Sequence, residues 1–104
     1  MGRALECVVL RAPDPEGDWE LDFSGPSPLA LRRYDGAVRA GFEENGSPGL
    51  TVSGRAHACN EVNGWFEIGA LPRGSIGALR IRFFQLCDDV SAPLTGEIDL
   101  RPLP

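Results

Sequence analysis

Lysine is absent from this 104-residue chain, and histidine and tyrosine occur once each. Every basic side chain but His57 is therefore an arginine; ten of them stand against fifteen acids, for a formal net charge of −5 at pH 7. Nucleic-acid binding needs a basic footprint, and this balance excludes it. An acidic surface keeps a protein soluble and also suits a protein partner of basic character. Long apolar runs are missing too. No window reaches the length of a membrane span, and Glu6 interrupts the N-terminal run from Ala4 to Leu10, so no secretory signal is recognised there. As it stands the chain is expected in the cytoplasm; the alternative is export, with a leader preceding Met1.

The motifs of common catalysts are also lacking. There is no Gly-x-Ser-x-Gly elbow, no phosphate loop and no His-Glu-x-x-His, so neither catalytic residues nor a cofactor are expected. Cysteine is present in an odd number: Cys7, Cys59 and Cys87 permit one disulfide at most and leave one thiol over.

What is present describes a small β domain. The apolar fraction of 42% and charged fraction of 24% suit a globular chain, and the length suits one domain over residues 1–104. Thirteen glycines and nine prolines lie scattered between apolar runs, where they punctuate short strands. A first strand is expected over Leu5 to Leu10. Trp19, Leu21 and Phe23 alternate with Glu20 and Asp22, the period of a half-buried strand. Leu29 to Arg33 is ambiguous between a helical turn and extended chain. Tyr34 to Phe42 reads as a strand, with Gly36 marking a bulge or a close backbone approach. Leu79, Ile81, Phe83, Gln85 and Cys87 share one phase of the longest expected strand. Leu94, Gly96, Ile98 and Leu100 share one phase of the last. If these two pair, Arg80 and Arg82 can face Glu97 and Asp99. The expectation is an all-β fold: a single small antiparallel β-sandwich, or alternatively a small β-barrel, of about seven or eight short strands.

The chain is organised around residues 53–68, which hold the only histidine. The stretch reads as two strands, Leu50 to Cys59 and one beginning near Val62, joined by a turn at Asn60 to Gly64. Asn60 and Asn63 tolerate left-handed conformations, and Gly64 admits positive φ or close packing.

Several segments, in order, resemble a family of small bacterial all-β domains. They are Trp19-Glu20-Leu21-Asp22-Phe23, Tyr34-Asp35-Gly36-Ala37, Pro48 to Gly54, Cys59-Asn60 with Gly64-Trp65-Phe66, Phe84-Gln85-Leu86-Cys87, and Leu94 to Ile98. The resemblance implies a compact β-sandwich, often attached to exported proteins, and assigns it no activity. That pattern has His before the second cysteine and Glu-Gly after it, whereas this chain has Leu86 and Asp88-Asp89.

Cys59 and Cys87 each end an expected strand. They form either a disulfide or a pair of buried thiols; the missing leader favours thiols and the exported habit of the family favours the bond. His57 and Cys59 lie two apart and share a face, so with Cys87 and Asp88 they are weak candidates for a zinc site. The spacing matches no established zinc signature, and an ordinary surface or hydrogen-bonding His57 is preferred. Asp14, Glu16, Glu43, Glu44, Asp88 and Asp89 lack calcium-loop spacing and read as solvated acids. Trp65, in the opposite phase to Phe66, and Phe84 occupy the outward phase, where each is either exposed or covered by a loop or a second layer. With Glu67, Glu43 and Glu44 they form the candidate contact surface.

The function expected is a non-enzymatic binding module with a protein partner, inhibitor- or immunity-like. The alternative is a carbohydrate-binding or surface-attached module of an exported protein. A hydrolase or zinc enzyme using His57 with Cys59 or Cys87 is the least favoured reading.

Overall fold

The computed structural model describes residues 7–13, 15, 17–25, 28–43, 46–54, 60–72, 77–88 and 93–101. It contains seven strands: β1 (Cys7–Ala12), β2 (Trp19–Ser24), β3 (Arg33–Val38), β4 (Gly49–Ser53), β5 (Val62–Ala70), β6 (Leu79–Cys87) and β7 (Leu94–Leu100). No helix occurs among the described residues. The strands form one sheet in the order β1-β2-β4-β3-β5-β6-β7. Every neighbouring pair is antiparallel except β3 and β4, which share one parallel bridge, Val38 to Gly49. The all-β expectation holds. The facing layers are the two arms of a single sheet that curls into a half-barrel.

The alternation in the sequence explains the curl's contents. Leu21 and Phe23 of β2, and Leu79, Ile81 and Phe83 of β6, point inward, while Glu20, Arg80 and Arg82 point out. At the centre Phe66 is fully buried; Phe23 meets it edge-on at 5.3 Å between centroids, and Tyr34 stacks on it at 4.8 Å. Burying each such side chain stabilises the fold by about 1.5–3 kcal/mol.

Three sequence expectations need correction. First, β3 ends at Val38 instead of Phe42. The chain turns at Gly41, whose φ is 94°, and Phe42 points to solvent with the Arg39 guanidinium 4.6 Å from its ring centroid. Gly36 does mark a bulge: its φ is 68° and the register slips between Asp35 and Ala37. Second, β4 and β5 do not pair, because β3 stands between them. Gly64 is no turn residue; it lies inside β5, opposite Gln85. Third, β6 is not the longest strand, since β5 matches its nine residues. Of the expected strand Leu50 to Cys59, residues Arg55 to Cys59 lie outside the described residues, as do Leu5 and Glu6 of the first.

Candidate interaction face

The outer face of β3, β5, β6 and β7 carries two in-register rows of side chains. Strand pairing sets Asp35 against Trp65, Trp65 against Phe84 and Phe84 against Thr95. The next row sets Arg33 against Glu67, Glu67 against Arg82 and Arg82 against Glu97. One row is centred on aromatics, and the other alternates in charge.

In the aromatic row, the rings of Trp65 and Phe84 are nearly parallel, 4° apart, with centroids at 6.2 Å. From the opposite neighbour strand, Arg33 places its guanidinium 4.0 Å from the Trp65 ring centroid. Its Nε donates to Asp35 Oδ1 at 2.7 Å, which fixes the guanidinium in that position. Trp65 is thus clasped between a cation and a ring, both favourable to its π faces. Trp65 and Phe84 remain half-buried.

In the charged row, Arg82 donates to Glu67, and both the hydrogen bond and the carboxylate's charge hold the guanidinium above its usual pKa. Beside this pair lies a polar cleft of about 340 Å³ lined by Glu67, Gly69, Arg80, Arg82 and Glu97. Opposite charges meet across it, as the pairing of Arg80 with Asp99 and of Arg82 with Glu97 requires.

The other candidate residues are dispersed. Glu43 sits on the opposite arm, where Ser24 Oγ donates to its Oε2 at 3.0 Å and the Gly41 amide donates to Oε1. Burial alone raises the Glu43 carboxyl. Hydrogen bonds from its own amide, Ser24, Gly41 and Phe42 together outweigh that and hold it below its ordinary 4.5. Glu44, His57 and Cys59 lie outside the described residues. Cys87 closes β6 opposite Val62 and is disulfide-bonded, whereas Cys7 is a free, exposed thiol.

Asp88 follows in the left-handed region, φ 47°. Its Oδ1 accepts from the Glu61 amide at 2.6 Å, its Oδ2 accepts from the Asn60 amide at 3.1 Å, and its own amide donates to the Glu61 carbonyl at 3.0 Å. Both carboxylate oxygens are therefore engaged by main chain. Among the described residues no three metal-ligating side chains come together.

Sequence reasoning placed Trp65, Glu67 and Phe84 on one outer face, and the structure brings them together. It missed Arg33, although Arg33 and Asp35 lie two apart and so share a strand face, the signal that would have found it. Nothing in the searches bears on the resemblance: no family model, curated protein or solved structure matches the chain.

Proposed function

We propose that this domain is a non-enzymatic binding module that contacts a protein partner through the outer face centred on Trp65. The observation that carries the reading is the Arg33–Trp65–Phe84 clasp. A tryptophan held rigidly and left half-exposed loses little entropy when a partner covers it. Trp and Arg together are the commonest anchors of protein interfaces. Net charge favours a basic partner, as in an inhibitor or immunity protein.

A carbohydrate partner is less well supported, because sugars stack on open ring faces and Arg33 already lies over one face of Trp65.

The test is affinity capture from the native host with wild type, Trp65→Ala and, as an exposed control, Val9→Ala, followed by direct titration of each captured protein. A genuine partner is retained by Val9→Ala and binds Trp65→Ala about tenfold or more weakly. Equal affinity for wild type and Trp65→Ala would remove Trp65 from the contact surface.

A further inference from the structure

We infer that β7 is a strand-accepting edge that binds an extended segment of a partner protein in which apolar and basic residues alternate. This goes beyond the Trp65 contact and does not depend on it. Three observations converge on β7.

The first is the edge itself. Among the described residues β7 pairs only with β6, so alternate residues direct their N–H and C=O groups away from the sheet. The strand is seven residues long, contains no proline or lysine, and pairs with β6 without a bulge. Proline, lysine and a bulge, three of the devices that blunt an edge, are thus missing from it, while Glu97 and Asp99 give it negative charge.

The second is the groove beside it. The curl leaves an open, mainly apolar trough of about 290 Å³ between β7 and the β1–β2 arm, lined chiefly by Trp19, Leu21, Val52, Phe83 and Ile98, with Glu97 also on its lining. A strand added to β7 would direct alternate side chains into that trough, so those positions call for apolar residues. A trough running beside a strand edge suits an extended chain better than a compact ligand.

The third is the charge pattern on the outward side. Across the sheet the row Arg33, Glu67, Arg82, Glu97 alternates plus, minus, plus, minus, and the neighbouring pair is Arg80 and Asp99. The next strand therefore meets two outward acids, of which Asp99 is already paired with Arg101 at 3.2 Å, so a basic residue is complementary above all opposite Glu97. The same acids disfavour a second copy as occupant, because the fullest antiparallel pairing of β7 with itself sets Glu97 against Glu97 of the copy.

The probe is a synthetic, fluorescently labelled Val–Arg alternating peptide as long as β7, compared with its Val–Glu counterpart. Binding is read by anisotropy, with amide hydrogen exchange locating the site. Wild type is expected to prefer the Val–Arg peptide by about tenfold and to gain exchange protection in β7. Glu97→Arg should reverse the preference, while Glu61→Arg and Trp65→Ala leave it in place. N-methylation along the peptide edge that faces β7 should abolish binding. The inference is overturned by equal affinity for the two peptides, by tolerance of N-methylation, or by a Glu61→Arg effect as large as that of Glu97→Arg. Self-association through β7 at the same protein concentration would overturn it as well, by making the second copy the occupant. Loss of peptide binding in Trp65→Ala would instead place the peptide on the aromatic face.

Discussion

The Gln85 side-chain amide forms two hydrogen bonds to the main chain of Val52: Oε1 accepts from the Val52 amide at 2.8 Å, and Nε2 donates to the Val52 carbonyl at 2.9 Å. The two residues stand on β6 and β4, which are not neighbours in the sheet. Among the described residues β4 bridges β3 only at Gly49, so the β3-facing side of its remaining residues pairs with no strand there. Gln85, 1% exposed, reaches across the concave side and supplies the missing donor and acceptor. A primary amide matches a peptide unit in both shape and polarity, which is why glutamine fits here and an aliphatic residue does not.

Gln85→Leu keeps the volume and strands both Val52 groups in the core, so a loss of about 2–5 kcal/mol is expected in urea unfolding. Gln85→Glu gives a sharper outcome. Ionised, the carboxyl can accept from the amide but opposes the carbonyl; protonated, it can serve both. Burial raises its folded pKa above the unfolded value, so its stability is present below the unfolded pKa and is lost as pH rises through the folded one. Relative to wild type this variant should therefore recover on acidification from about pH 7 to pH 4. A deficit that does not depend on pH would refute the amide–peptide match.

The sequence revealed local features better than distant pairings. The period-two pattern of β2, β6 and β7 and the bulge at Gly36 were legible because side-chain alternation and positive φ are local properties. Gln85 was visible as a polar residue in an apolar phase, but its partner Val52 is 33 residues away along the chain. The insertion of β3 between β4 and β5 was hidden for the same reason: which strands pair is decided by burial of the whole sheet. In the candidate face, the outward phase of Trp65 and Phe84 was legible, whereas the clasp by Arg33 depended on the pairing of β3 with β5.

Two glycines should both lose stability on substitution by alanine, for different reasons and to different degrees. A Cβ on Gly64 would overlap the Phe84 carbonyl oxygen and also meet Gln85 Cα at 3.2 Å. Both obstacles are backbone, so β5 and β6 would have to part; Gly64→Ala should cost about 3 kcal/mol or more. At Gly36 nothing lies within 4 Å of a Cβ, and only the left-handed φ of 68° opposes substitution. Gly36→Ala should cost about 1–2 kcal/mol and Gly36→Asn less. Thermal melts of the three variants check the order.

Asp22 and Glu43 should shift stability in opposite senses with pH. Burial first, then the charges of Glu20 and Glu43, raises the Asp22 carboxyl above its ordinary 3.8. A raised carboxyl contributes stability below the unfolded pKa and loses it as pH rises through the folded one, so Asp22→Asn should stabilise at neutral pH. Glu43 is lowered below its ordinary 4.5 and contributes stability above that value, which is lost as pH falls through its folded pKa; Glu43→Gln should destabilise at neutral pH. Both groups are largely solvated, so each effect should stay within about 0.5 kcal/mol. Melting temperatures measured from about pH 3 to pH 7 should converge with wild type at the acid end for both variants.

Cys87 leads directly into the Asp88 clamp, which binds the main chain at Asn60 and Glu61. That places the start of β5 beside the end of β6, and of the three cysteines Cys7 is free while Cys87 is bonded. Alkylation under denaturing, non-reducing conditions followed by peptide mapping should therefore label Cys7 and recover one bridged peptide containing Cys59 and Cys87. The bridge would close a loop of about 28 residues, and its reduction should lower stability by about 3 kcal/mol. Asp88→Ala should weaken the same junction by about 1–3 kcal/mol, through loss of both carboxylate contacts and the left-handed φ of 47°. Because the clamp and the bridge hold one junction, the two losses should be less than additive: with Asp88→Ala in place, reduction should cost less than in wild type. Full additivity would show that the bond and the clamp act on separate parts of the fold.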